Sequence, residues 1–173
     1  MKAVHLGDKI MLKKYIIVFL ISMVPIIELR GAVPFGLHDS FGGPLPVLPL
    51  YIICIIGNMI PVPFIFFFAR RILEWGKDKK VIGKFFTFCL EKGEKGGKKL
   101  QDKAGKGLYW ALFLFVGIPV PGTGAWTGTL AASILDLDFK KCVVAVISGV
   151  VLAGILMGLA SAGLFGALGA IFS

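Results

Sequence analysis

Acidic residues are scarce in this sequence: 10 Asp and Glu stand against 19 Lys and Arg, and only 17% of the 173 residues are charged. Soluble domains carry about 25% charged and about 45–50% apolar residues, whereas 57% are hydrophobic here. That balance argues against a water-soluble domain and points to a bilayer as the solvent. Cysteine is nearly absent. Cys54, Cys89 and Cys142 are scattered, with no CxxC and no histidine at metal spacing, which excludes a disulfide scaffold or zinc site and leaves them as small core residues. The only histidines are His5 and His38. HExxH, GxSxG, a P-loop and paired acidic motifs are all missing, so no metal, cofactor or nucleotide chemistry is expected within the chain.

What is abundant is long hydrophobic sequence, and the charge lies between the runs. Twelve of the Lys and Arg residues fall between Arg70 and Lys106, with five acids among them. A basic segment between apolar blocks reads as a cytoplasmic loop that sets orientation and touches anionic lipid. Without aromatic interleaving or a motif, nucleic acid is not an expected partner. Lys13 and Lys14 precede an apolar run as in a signal peptide, but no small-residue cleavage site follows. A retained membrane segment is the reading.

Residues 1–14 are short, polar and basic, and Tyr15 to Ile27 is a 13-residue apolar arm that Glu28 ends. As a helix the arm covers ~20 Å, short of the ~30 Å hydrocarbon core. Leu45 to Ala69 is uncharged for 25 residues and reads as a transmembrane helix despite Pro46, Pro49, Pro61 and Pro63. The basic loop occupies 70–107, with amphipathic helix around Ile72 to Leu90. Leu108 to Ile118 and Ala125 to Leu135 are 11 residues each, or ~16 Å as helices. "PVPGTG" separates them, so 108–135 reads as a re-entrant hairpin with its turn at membrane depth. Residues 142–172 read as a transmembrane helix with a break near 160, in "ASAGLFGALG".

The halves share a pattern: a short apolar arm, a turn rich in Pro and Gly, then a long apolar helix. "PIIELRGA" and "PVPGTGAW" begin at Pro25 and Pro119. Paired interrupted segments in corresponding halves point to an inverted-repeat transporter. Residues 15–44 are the corresponding first hairpin if the chain re-enters there. The lysines ahead of them favour a full crossing instead, and the sequence leaves both open.

Charges inside a membrane segment are rare and functional by default, which singles out Glu28 and Arg30. At i,i+2 on a regular helix they point to different faces. An unwound backbone near Gly31 and Pro34 would aim both at one cavity. A carboxylate there can trade a proton against a cargo, and the forked guanidinium suits phosphate or carboxylate. The competing reading is a packing ion pair. In the second turn Pro119, Pro121, Gly122, Thr123, Gly124, Trp126 and Thr127 join the candidate binding set. The amides opening the second arm are suited to an anion, and a tight packed turn is the plainer reading. Asn58, ahead of Pro61, completes the set as an interhelical hydrogen-bonding residue. Trp75 and Trp110 read as interfacial anchors.

Together "PIIELRGAVPFG", "GNMIPVPF" and "IPVPGTGAWTG" resemble the small multi-drug export protein family across nearly the whole chain. That family is related to the DedA/VTT membrane proteins. The resemblance implies two facing re-entrant hairpins, each followed by a spanning helix, and a role in moving amphipathic molecules such as lipid carriers. It places Glu28 and Arg30 at the acid-and-base position of the first hairpin. The arginines of a DedA-type second hairpin have no counterpart in "PVPGTGAWTG".

The expectation is an all-α polytopic integral membrane protein of the cell inner or plasma membrane, a single multi-pass domain over 1–173. It is built as an inverted repeat of a re-entrant helical hairpin plus a transmembrane helix. The function read is secondary transport or flipping of a small or amphipathic anionic solute or lipid carrier, coupled to protons. The partners are membrane lipids, a small-molecule, lipid or ion substrate, and a second copy in a homodimer. An enzyme acting on lipid headgroups and an assembly protein without cargo are the alternatives.

Overall fold

Proline decides where these apolar runs stop being helix. The computed structural model describes residues 2–38, 44–79, 83, 84, 87, 91, 107–120 and 122–163. Its helices are α1 (Lys2–Met23), α2 (Glu28–Leu37), α3 (Val47–Met59), α4 (Pro61–Gly76), α5 (Gly107–Gly117), α6 (Ala125–Ile134) and α7 (Phe139–Ser161). No strand occurs among the described residues. Two stretches are long and apolar enough to cross a membrane: Val47–Gly76, which takes in α3 and α4, and α7. The 23 residues of α7 cover ~34 Å against a hydrocarbon core of ~30 Å.

Four boundaries differ from the sequence expectation. The first arm begins at Lys2, not Tyr15, and stops at Met23, ahead of Pro25. A proline disfavours helical backbone in the residue before it, here Val24, which is a bend. The motif "ELRGAVP" is not itself broken: α2 runs unbroken through Gly31 and Pro34. Pro34 removes only one N–H from the ladder, and the break falls earlier, at residues 24–27. The run from Leu45 divides at Ile60, ahead of Pro61, and α4 continues to Gly76. Residues 70–76 of the expected basic loop are therefore helix, while most of that loop lies outside the described residues. Finally, α7 opens at Phe139, where the Asp138 side chain accepts from the Lys141 amide at 2.9 Å. This is an ordinary N-cap. It closes at Ser161, and residues 164–173 lie outside the described set.

The packing is reciprocal. Helix α1 lies on α3, and α5 lies on α7. The second arm of each hairpin crosses to the other half, α2 against α7 and α6 against α4. Val18, Leu29, Val33, Leu50, Val116, Val146 and Val150 form the buried core where these contacts meet. The α5–α7 crossing is close because Gly149 has no side chain: a Cβ there would lie 2.7 Å from Val116 Cβ and 2.8 Å from the Phe113 carbonyl oxygen. Small residues that let helix backbones approach are the usual device of packing within a bilayer.

One end of the bundle gathers charge. Arg70 near the end of α4 pairs with Glu74 at 3.0 Å and with Asp136 in the α6–α7 turn. The Lys141 ammonium at the start of α7 sits 5.7 Å from the Tyr109 ring centre at the start of α5. At the hairpin of α1 and α2, buried Lys14 donates to the His38 carbonyl at 3.0 Å, which levels the end of α2 with the middle of α1.

Candidate functional site

The two interrupted segments meet tip to tip, and Glu28 and Arg30 make the joint. Glu28 opens α2 with φ of +52°, just after Ile26 at +74°. A β-branched residue in that region is an outlier, costing on the order of 1–2 kcal/mol. The strain lets the chain reverse within residues 24–27 and turns the Glu28 carboxylate toward the second hairpin.

Glu28 is buried, 3% exposed. Its Oε2 accepts from the Ala125 amide at 3.2 Å and its Oε1 from the Trp126 amide at 3.0 Å. These are among the first amides of α6, which have no intrahelical partner. The α6 N-cap is Gly124, which has no side chain to cap with. Glu28, 97 residues upstream of Ala125, takes that role, and its charge complements the positive end of the helix dipole. Gly124 makes room for it, with φ of +139°.

Arg30 performs the opposite task on the opposite helix end. Its Nη2 donates to the carbonyls of Val116 at 2.9 Å and Ile118 at 3.1 Å. Its Nη1 donates to Val120 at 2.8 Å and Thr123 at 3.0 Å. These carbonyls belong to the end of α5 and the turn, where no helical N–H reaches them. Thr123 Oγ1 adds contacts to Ile118 and Val120 oxygens at 3.0 and 2.8 Å. An unpaired backbone group in a bilayer costs several kcal/mol, so one arginine stabilises a whole unwound stretch. Glu28 and Arg30 thus form no ion pair with each other: the acid holds the start of α6, and the base holds the end of α5.

Beside the joint lies a cavity of about 730 Å³. Phe64, Phe68 and Ile72 of α4 and Leu130 of α6 supply much of its wall, and Glu28, Thr123, Trp126 and Thr127 reach it at the tip. The expected cavity between the two turns is replaced by direct contact, with the open volume to one side.

Of the sequence candidates, Glu28, Gly122, Thr123, Trp126 and Thr127 line this cavity. Arg30 and Gly124 belong to the joint, and Pro119 lies in the turn that Arg30 holds. Pro121 lies outside the described residues. Gly31 and Pro34 sit further along α2, where Gly31 fits under the Ile27 side chain and the Pro34 carbonyl caps His38. Asn58 is buried at the end of α3 and does not line the cavity. The phenylalanine wall of α4 was not among the candidates. Its spacing, Phe64, Phe68 and Ile72, is a one-face helical repeat that would have flagged it.

An all-helical chain with two apolar stretches of spanning length, and with a buried acid and a base holding interrupted helix ends together, is a helical membrane protein. The match to a family model is more specific. The chain belongs to the family described as "Putative small multi-drug export protein", whose model covers residues 28–156, about three quarters of it. That stretch begins at Glu28 and takes in Arg30, the second hairpin and most of α7. The family's name speaks of multi-drug export. No curated protein and no solved structure matches the chain.

Proposed function

We propose that this protein is a secondary transporter of the inner or plasma membrane rather than an enzyme, exporting or flipping an amphipathic molecule through the cavity beside the joined hairpins. The observation that carries the reading is the joint itself. Two helix ends are held at each other by one carboxylate and one guanidinium, next to an apolar cavity large enough for a small amphiphile. Interrupted helices at membrane depth are how transporters build substrate sites.

The same geometry supports an inverted repeat of two re-entrant hairpins in a polytopic chain. Each second arm packs on the long helix of the other half, and Lys14 against His38 sets the end of α2 level with the middle of α1. On this reading the N-terminus lies opposite the basic segment, which is cytoplasmic. The protein functions as a homodimer, as befits a chain too small to enclose a path alone.

Cargo chemistry follows from the amides of Ala125 and Trp126. They donate to an anion, and Glu28 is the anion that occupies them. An anionic headgroup and the Glu28 carboxylate therefore compete for one site. Protonation of Glu28 weakens its hold and yields the amides to cargo, while the apolar part of the molecule rests against Phe64 and Phe68. Arg30, engaged with four carbonyls, keeps the turn in shape and does not itself take the anion. Efflux or flipping in proteoliposomes under an imposed pH gradient tests this. Wild type should respond to the gradient, and Glu28→Gln, reconstituted at equal density, should not. Equal pH dependence in both would overturn proton coupling, and no transport of any amphiphile by wild type would overturn the function.

A further inference from the structure

A second cavity, of about 560 Å³, lies at the charged end of the bundle in the groove between α5 and α7, away from the hairpin joint. Its two ends differ in chemistry. Lys140 and Lys141 stand at one end, level with Tyr109 and Trp110 in the first turn of α5; Phe113, Val144 and Ser148 lie deeper. The order along both helices is the same because α5 and α7 run parallel, with Gly149 against Phe113 and Gly117 against Leu152. The groove is thus cationic and aromatic at its mouth and apolar below.

The nearby acids leave the lysine charge in place. Asp138 caps the Lys141 amide and Asp136 pairs with Arg70, and among the described residues no ion pair is made by Lys140 or Lys141. Trp110 is 66% exposed and Val144 64% exposed, so the groove opens outward, toward where the bilayer would be. At depth the Ser148 hydroxyl donates to the Val144 carbonyl at 2.7 Å.

We infer that this groove binds an acidic phospholipid of the leaflet facing the basic segment, with its phosphate on Lys140 and Lys141 and an acyl chain along Phe113 and Val144. Charge complementarity selects the occupant: two cations at the mouth match one phosphodiester anion, and basic pockets between membrane helices on the cytoplasmic side take anionic headgroups. The aromatic pair at the mouth marks the headgroup level, where Trp and Tyr are enriched. The length of the groove suits a lipid rather than a small ion, since residues 140–148 of α7 extend ~12 Å.

The test is thermal unfolding of the full-length protein in detergent, titrated with phosphatidylglycerol, with phosphatidylcholine and with inorganic phosphate. Phosphatidylglycerol should raise the melting temperature of wild type at concentrations where the other two do not. In the double variant Lys140→Gln, Lys141→Gln the phosphatidylglycerol needed for half the shift should rise about tenfold or more. A Lys77→Gln, Lys79→Gln control, changed outside the groove, should respond as wild type. A wild-type shift equal for the two lipids, or one reproduced by inorganic phosphate, overturns the inference. So does an unchanged response of the Lys140, Lys141 variant, or an equal loss in the control. The readout is binding alone, so it stands or falls apart from the transport proposal.

Discussion

Gly124 and Glu28 share one space: a Cβ on Gly124 would lie 2.7 Å from Glu28 Oε1 and 2.8 Å from its Cδ, closer than any real side-chain contact. The backbone of Gly124, at φ of +139°, is also one that L side chains avoid. Gly124→Ala must therefore displace the carboxylate from the Ala125 and Trp126 amides as well as strain the turn. Gly122 has φ of +84° and open space around its Cβ position, so Gly122→Ala meets only the strain, ~1–2 kcal/mol. The expected order in thermal melts is wild type above Gly122→Ala above Gly124→Ala, with the last losing ~3 kcal/mol or more. Equal losses would mean that the carboxylate is not held where described.

Arg30→Lys keeps the charge and loses the fork. An ammonium reaches two of the four carbonyls of Val116, Ile118, Val120 and Thr123 at best, since these converge on two separate nitrogens. The Ile118 and Val120 carbonyls keep the Val120 and Thr123 amides at 2.8 and 3.2 Å, so the loss falls on Val116 and Thr123, at ~1–3 kcal/mol for each one abandoned. A melting temperature well below wild type, with Arg30→Ala lower still, is the expected result. A Lys variant as stable as wild type would show that water, not Arg30, satisfies the turn.

The helical class, the two long apolar stretches and the presence of Glu28 and Arg30 among apolar residues were legible in the sequence, because hydrophobic length and isolated charge are strong local signals. The partners of Glu28 and Arg30 were not. At a spacing of two residues Glu28 and Arg30 face apart on a regular helix, and only an expected unwinding near Gly31 and Pro34 suggested a shared cargo site or an ion pair. The answer depended on a contact across about 90 residues, to helix ends that carry no side-chain cap of their own. The missing cap was visible: "TGAW" offers glycine where a helix start prefers Ser, Thr, Asp or Asn. The position of the first break was misread for a related reason. Gly31 and Pro34 look like breakers, but Pro34 costs α2 a single backbone bond, while Pro25 acts on Val24 where α1 is already ending. The cavity wall on α4 showed in the sequence as a one-face repeat, Phe64, Phe68 and Ile72, but phenylalanines in a spanning helix read as lipid-facing until a neighbour is known.

Gly149→Ala tests the α5–α7 crossing. The new methyl would meet the Phe113 carbonyl oxygen at 2.8 Å and Val116 Cβ at 2.7 Å, and neither belongs to a flexible side-chain end. Separation of the helices should cost ~1–3 kcal/mol, read as a lowered melting temperature. Phosphatidylglycerol binding should weaken with it, since the groove lies on the same crossing.

Orientation can be read by labelling. With Cys54, Cys89 and Cys142 replaced, a cysteine at Lys79 should react with an impermeant thiol reagent only after the membrane is opened, and one placed at residue 9 should react in intact cells. The first result follows from the basic segment. The second follows from the inverted repeat, in which α1 and α2 enter and leave on the side opposite that segment. Protection of residue 9 in intact cells would mean that the first hairpin spans the bilayer and that the halves are not inverted copies.

Glu28→Gln separates a latch from a mere cap. The carboxylate accepts from two amides through two oxygens, whereas a glutamine side chain brings one oxygen and one NH2 group. The second amide then faces a donor, and the attraction between charge and helix end is lost. If Glu28 only caps α6, stability should fall by ~1–3 kcal/mol and transport, measured well below the melting temperature, should keep its dependence on pH. If Glu28 is the group that yields its amides to cargo, transport should become independent of pH even where the protein is fully folded. Glu28→Asp sharpens the distinction. It keeps the titratable charge but is one methylene shorter, so it should lose stability much as Gln does while retaining some pH response. A pH response lost in Gln and partly kept in Asp, at matched folded fractions, requires the proton on residue 28 to be part of the cycle. The same response in all three would leave Glu28 as a cap and nothing more.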